Sequence, residues 1–261
     1  MTDSIRIGVF QANIIWESIE QNQVKLEKVL TSKRKTAELV VLPEMYTTGF
    51  SMEPDKFSKD ELDRQLLWQQ QMSDLTGVSL AGSLITQNNN LYFNRFVFTR
   101  PSKEIMTYDK RHLFRMGKED KLFSPGIDRK IFSYEDILLM PQICYDLRFP
   151  VWSRNNFAYH ILIYVANWPS SRQTVWDTLL RARAIENQCY TIGVNRVGIN
   201  TEGVNYVGGS AVYGPQGEEI FKLGDKEEYF ECNLSVSELV DFRKKFPMHL
   251  DADEFKIKNR D

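Results

Sequence analysis

The chain has 261 residues, enough for a full hydrophobic core and for one large α/β domain. Its 33 basic and 35 acidic residues give a net charge of -2, so neither nucleic acid nor an anionic membrane is expected as a partner. Hydrophobic residues make up 42% and charged ones 26%, an ordinary balance for a globular protein. The longest apolar run, residues 161–166, falls far short of the roughly 20 residues a membrane helix needs. The N-terminus lacks a basic segment followed by an apolar one, so a cytoplasmic protein is expected. Cys144, Cys189 and Cys232 are odd in number and widely spaced, and His112, His160 and His249 lack metal-ligand spacing. That pattern speaks against a disulfide framework and against a metal site.

Ile5, Ile7 and Val9 alternate with Arg6 and Gly8, which predicts a half-buried strand. Residues 17–30 carry Ile19, Leu26, Val29 and Leu30 among polar residues, the pattern of a surface helix. Leu39-Val40-Val41-Leu42 is apolar throughout, as suits a strand covered on both faces; Pro43 ends it and Glu44 follows. Residues 51–60 read as a loop, and the helix after them places Leu62, Leu66, Leu67 and Leu75 on one stripe. Residues 79–85 and 92–98 read as strands joined across a polar turn at 87–90. A short strand at 105–108 runs into Asp109-Lys110-Arg111-His112. Residues 115–129 mix charge with Gly117, Pro125 and Gly126 and read as a long irregular loop, a place where function often sits.

The run Leu138-Leu139-Met140-Pro141-Gln142-Ile143 ends abruptly in Cys144, as would a buried strand carrying a thiol to its C-terminal tip. In open α/β sheets that tip is where ligands gather. A helix is expected over 151–159 and a buried strand over 161–166, closing in Asn167-Trp168-Pro169. A second helix, 174–187, carries Val175, Leu179, Ala182 and Ile185 three or four apart. Residues 190–195 read as a strand, and 210–213 with 219–223 as a hairpin around Gly214-Pro215-Gln216-Gly217. Phe230, Cys232 and Leu234 alternate in a last strand, which gives Cys232 a place in the core. No linker, repeat or low-complexity tract divides the chain, so a single domain over 1–261 is expected. The excess of strands over helices favours two sheets with helices outside, although one doubly wound sheet fits nearly as well.

Most free cysteines are small buried hydrophobes, so Cys144 needs partners before its placement means chemistry. His160 has no flanking group to orient an imidazole. Glu44 follows its strand as Cys144 follows its own; were the two strands parallel neighbours, both groups would meet at one rim of the sheet. A carboxylate in apolar surroundings has a raised pKa and suits a general base. Lys110 beside a thiol would favour the thiolate and donate to a developing oxyanion.

These elements together resemble the nitrilase superfamily of carbon–nitrogen hydrolases. The resemblance is carried by Leu42-Pro43-Glu44, Tyr108-Asp109-Lys110-Arg111-His112-Leu113-Phe114 and Ile143-Cys144-Tyr145-Asp146-Leu147-Arg148-Phe149-Pro150, and it covers nearly the whole chain. It implies a four-layer α-β-β-α sandwich with Glu44, Lys110 and Cys144 as the catalytic set. The family's second glutamate maps onto Glu119, six residues before Pro125. It also implies an oxyanion contact from the Tyr145 N–H, no cofactor, and a homodimer.

Met45-Tyr46-Thr47-Thr48-Gly49-Phe50, Tyr164-Val165-Ala166-Asn167-Trp168-Pro169 and residues 181–187 look like the omega-amidase branch, which cleaves the terminal amide of small 2-oxo acids. Such a substrate carries a carboxylate, for which Arg148 and Arg172 are the candidate partners. Tyr46, Phe50 and Trp168 are candidate pocket walls. Two departures stand out. Met140-Pro141-Gln142 replaces a frequent glycine, and Val151-Trp152 stands where many members have an acid. Other amides, N-carbamoyl amines, or a silent binding protein on the same fold are the alternatives.

Overall fold

In the computed structural model, which describes residues 3–32, 36–156 and 158–258, the two apolar runs before Glu44 and Cys144 become strands of two different sheets. The first half of the chain gives β1 (Ser4–Gln11), α1 (Ile19–Ser32), β2 (Leu39–Val41), α2 (Lys59–Thr76), β3 (Ser79–Asn88), β4 (Leu91–Thr99), β5 (Met106–Asp109) and a single-turn α3 (Glu119–Leu122). The second half gives β6 (Phe132–Tyr134), β7 (Ile137–Ile143), α4 (Pro150–Ser153), β8 (Ile161–Ala166), α5 (Gln173–Asn187), β9 (Tyr190–Asn195), β10 (Val197–Ile199), β11 (Asn205–Val207), β12 (Ala211–Tyr213), β13 (Glu219–Lys222), β14 (Glu228–Ser235) and α6 (Val236–Lys245). One six-stranded sheet runs β14-β1-β2-β3-β4-β5, a second runs β13-β12-β9-β8-β7-β6, and β10 pairs with β11 apart from both.

Each large sheet has a parallel centre, β1-β2-β3 in one and β7-β8-β9 in the other. Strand periodicity then sorts side chains into layers. Leu39 and Val41 of β2 meet Ile143, Ile163, Val165 and Ile192 between the sheets. Val40, one residue out of phase, packs on the other face with Leu26, Leu30 and Met72 of α1 and α2. Leu162 and Tyr164 likewise pack outward on Trp176, Leu180 and Ala184 of α5. The result is an α-β-β-α sandwich.

The hairpin between β3 and β4 closes through Asn89 and Asn90, both in the left-handed region at φ 48 and 62, the pair a tight hairpin turn needs. Pro141 is tolerated inside β7 because β6 pairs only as far as Leu139, leaving that edge of β7 without a ladder partner beyond it.

Several expectations need correction. The 151–159 helix is a single turn, α4, and Phe157 within that range lies outside the described residues. In α2, Leu67 and Leu75 are exposed, whereas Leu62, Gln65, Gln69, Met72, Ser73 and Thr76 are buried. Gln69 is held there by donating to the carbonyls of Leu80 and Val97 at 3.1 and 3.2 Å; Gln65 accepts from Thr47 through its oxygen, while its amide nitrogen has no partner among the described residues. In α5 the buried stripe runs through Trp176, Leu180, Arg183, Ala184 and Asn187, with Ile185 exposed. The sequence pattern also misses β6, β10, β11 and α6, most of them too short to show a period.

Candidate active site

β2 and β7 are not neighbours in one sheet, so Glu44 and Cys144 meet in another way: the C-terminal ends of the parallel strands point to the same end of the sandwich. Just beyond β2, Glu44 is fully buried. Its Oε1 accepts from Lys110 Nζ at 2.8 Å and from Asn94 Nδ2 at 2.7 Å. Its Oε2 accepts from the Asn167 N–H at 2.8 Å, past the end of β8, and its carbonyl accepts from Asn167 Nδ2 at 2.6 Å. Asn167 thus ties the second sheet to the first at this carboxylate.

Lys110, past the end of β5 and also fully buried, lies between two acids. Its Nζ donates to Glu44 at 2.8 Å and to both oxygens of Glu119 at 3.0 and 2.9 Å. Burial pulls its pKa down, but the charges of Glu119, Glu44 and Cys144 outweigh that and hold it above the ordinary lysine value, so it stays an ammonium. Burial pushes the Glu119 carboxyl up, Lys110 opposes this, and the charge of Glu44 adds to it. Glu119 also accepts the Phe114 N–H at 2.6 Å, and Asn94 Nδ2 reaches it at 3.1 Å. The loop bearing Glu119 returns closely enough that a side chain at Gly126 would collide with the Asp109 carbonyl, while the Gly126 N–H donates to the Lys110 carbonyl at 2.9 Å.

Cys144 opens the 3-10 turn Cys144–Arg148 with φ at 45, a left-handed conformation that a cysteine adopts only at some cost. Burial raises its thiol well above the usual value, and Glu44 adds to this as a nearby charge and as hydrogen-bond acceptor, with Lys110 opposing. The Cys144 side chain is therefore a neutral thiol beside the Glu44 carboxyl group.

Asp146 fixes the turn. Fully buried, it accepts from the Ile143 N–H at 3.0 Å and the Tyr108 hydroxyl at 2.8 Å through Oδ2. Its Oδ1 accepts the His112 N–H at 3.0 Å and lies 2.8 Å from His112 Nδ1. One carboxylate thus joins the nucleophile turn to the residues flanking Lys110, and the His112 ring stacks on Phe149 at 3.7 Å.

Cys144 lines a cavity of about 630 Å³ together with Phe50, Tyr145, Arg148, Trp168, Arg172 and Tyr206, while Glu44 and Lys110 lie sealed behind it. The Arg148 guanidinium lies 5.3 Å from the Trp168 ring centre and that of Arg172 lies 5.0 Å from Phe114. Neither has a carboxylate partner among the described residues, which leaves both cations available to an anion.

Tyr46 is the one expected wall residue that the structure places elsewhere. It faces the α2 layer, donates its hydroxyl to Gln69 at 2.8 Å, and packs against Gly82, where any side chain would strike its ring. Asn94 and Tyr206 escaped the sequence reading, whereas Asn167 and Asp146 stood in its motifs without a role of their own. Asn94 left a trace only as an amide beside Arg95 in a strand otherwise rich in aromatic and apolar residues.

The comparisons fit this geometry. Residues 6–242 match the carbon–nitrogen hydrolase family model, and the chain belongs to that family of carbon–nitrogen bond hydrolases. It is 39% identical to the omega-amidase YafV of Escherichia coli (strain K12), over 97% of this chain and 98% of that protein. It is 29% identical to the 2-oxoglutaramate amidase of Bacillus subtilis (strain 168), over 93% and 95% of the two. Among solved structures it superposes on XC1258 of Xanthomonas campestris, a CN-hydrolase superfamily protein with an arsenic adduct in its active site, with a TM-score of 0.94, 34% identity and coverage of 98% and 99%. Saccharomyces cerevisiae Nit3, of the nitrilase superfamily, shares the fold at a TM-score of 0.86 and 21% identity, over 95% and 96% of the chains.

Proposed function

We propose that this enzyme hydrolyses the terminal amide of a small 2-oxo dicarboxylic acid, 2-oxoglutaramate or 2-oxosuccinamate, through a thioester on Cys144. The observation that carries the proposal is the buried Glu44 carboxyl group, which accepts from the Lys110 ammonium and lies near enough to the Cys144 thiol to raise it. Glu44 takes the thiol proton as sulfur attacks the amide carbon. The oxyanion is stabilised by Lys110 and by the Tyr145 N–H, which stands in the first turn after Cys144, where amides have no intrahelical acceptor. The proton on Glu44 passes to nitrogen, ammonia leaves, and the acyl group stays on sulfur. Glu44 then deprotonates a water that attacks the thioester, returning the thiol and the dicarboxylate. Glu119 holds Lys110 in place. Arg148 and Arg172, two cavity cations with no carboxylate partner among the described residues, receive the substrate's far carboxylate; Phe50 and Trp168 close the wall.

The names of the two amidase relatives support the substrate class. The test is intact-mass spectrometry with ammonia detection, using 2-oxoglutaramate and 2-oxosuccinamate. An acyl adduct that disappears with Cys144→Ala, and ammonia release with one of the two, is the expected result. No ammonia from either overturns the substrate reading. A cytoplasmic homodimer belongs to the same proposal, supported by Val151 on α4 and Ile185 on α5, both exposed apolar side chains; sedimentation at the monomer mass would refute the dimer.

A further inference from the structure

One wall of the cavity comes from a part of the chain that no motif singled out. β10 and β11 form a small hairpin whose turn is held by Asn200, its Oδ1 accepting the N–H groups of Glu202 and Val204 at 3.1 and 2.8 Å. Tyr206, on β11, lines the cavity, and its hydroxyl, without a hydrogen-bond partner among the described residues, opens onto it.

Behind the ring lies Arg196, wholly buried, its guanidinium 4.7 Å from the ring centre. Arg196 donates to the carbonyls of Val197 and Ile14 at 3.2 and 2.8 Å, and no carboxylate among the described residues neutralises it. An uncompensated buried cation is expensive. Placed against a phenol face, it draws electron density from the ring and strengthens the O–H as a donor. Burial lifts the Tyr206 hydroxyl to about 12, with Arg196 opposing and the charges of Glu44 and Cys144 adding to the rise. The hydroxyl is therefore protonated at neutral pH and lies within electrostatic reach of the reacting groups.

We propose that Tyr206 is a specificity-determining residue whose hydroxyl donates to the 2-oxo oxygen of the substrate. The inference rests on the 2-oxo acid reading above. A ketone oxygen only accepts, which matches a neutral phenol, whereas a carboxylate is the better match for the guanidinium groups of Arg148 and Arg172. The 2-oxo carbon is bonded directly to the carboxylate carbon, so the group that reads it must line the cavity beside the arginine that holds that carboxylate. β11 packs against the Ser170–Arg172 turn, and the unpartnered hydroxyl of Tyr206 is that group.

The experiment compares wild type and Tyr206→Phe on 2-oxoglutaramate and on glutaramate, which differs only in lacking the 2-oxo group. The wild type is expected to favour 2-oxoglutaramate. Tyr206→Phe is expected to lose about tenfold in kcat/KM on 2-oxoglutaramate, the scale of one hydrogen bond, and to keep its rate on glutaramate. Equal losses on both substrates, or no loss on either, overturn the inference and leave the amidase reading standing. A wild type that hydrolyses both amides equally also overturns it, since nothing would then be reading the 2-oxo oxygen. A wild type that releases ammonia from neither sinks the substrate reading first, and this inference with it.

Discussion

The floor and the mouth of the cavity are built on opposite principles. At the floor, Glu44, Lys110, Glu119 and Asn94 are all fully buried and hold one another through hydrogen bonds between 2.7 and 3.1 Å. At the mouth, Arg148 and Arg172 rest on aromatic rings with no carboxylate partner among the described residues. Its buried charges are paired with one another, so the floor satisfies itself, and on the proposed mechanism its geometry serves the reaction. Unpaired, half-buried cations are satisfied by what enters, so the mouth serves selection. The difference separates what any amide would need from what a particular amide would need.

Substitutions at the two ends should therefore fail in different ways. The largest effect is expected from Glu44→Gln, which keeps the shape but removes the proposed base. A fall in kcat of about 10² to 10⁴-fold is expected, the range for positioned general bases, with KM changing far less. Steady-state ammonia release measures it, and a change confined to KM would mean that the floor also serves binding. At the mouth, Arg148→Gln or Arg172→Gln should raise KM for a carboxylate-bearing amide by about 10 to 100-fold, from roughly 1.5–3 kcal/mol for a hydrogen bond to a charged group, while kcat holds. The same variants should leave KM for an uncharged amide such as propionamide unchanged. Equal loss on both substrates would place these arginines in the structure and not in recognition.

Tyr46→Phe tests the line between site and scaffold. It removes a hydroxyl that meets Gln69 in the α2 layer. A cost of about 1 kcal/mol in stability is expected, from the unmet Gln69 oxygen, with kcat and KM as in the wild type. Chemical denaturation and kinetics on the same preparation would show it, and a change in KM would return Tyr46 to the cavity wall.

The same contrast explains what could be read from the residues in order. Glu44, Lys110 and Cys144 each follow an apolar or alternating strand directly, so their local patterns mark them as tip residues. Their meeting was legible, but its route was not: a sequence shows that a strand is buried on both faces, not whether the second face belongs to a helix or to another sheet. Asn94 and Asn167 act through contacts 50 and 123 residues away in sequence, which no local pattern carries. The α2 stripe was misread because Gln65 and Gln69 are buried by bonds to distant groups, and polarity normally signals exposure. Tyr46 looked like a wall residue because it follows Glu44. The positive φ of 44 at Met45 starts a turn, and the ring goes to the helix side.

Glu119 offers the smallest and sharpest test, because it belongs to the floor by its contacts but enters no bond-breaking step. Its folded pKa lies above the free value of 4.5, raised by burial first. The folded protein therefore binds this proton more tightly than the unfolded chain does. Stability from this group is fully present below the unfolded value and is lost as pH rises through the folded one. Lys110 is raised above an already high value and stays protonated in both states between pH 5 and 8, so it adds no slope there. The melting temperature of wild type minus that of Glu119→Gln should accordingly shrink from pH 5 upward, on a scale of roughly 2–4 °C for each kcal/mol in a chain of this size. Arg148→Gln, at the mouth, should show no such slope. A difference that instead widened with pH would mean that Lys110 holds the Glu119 carboxyl below its free value, and the floor would then be a balanced ion cluster and not a strained one.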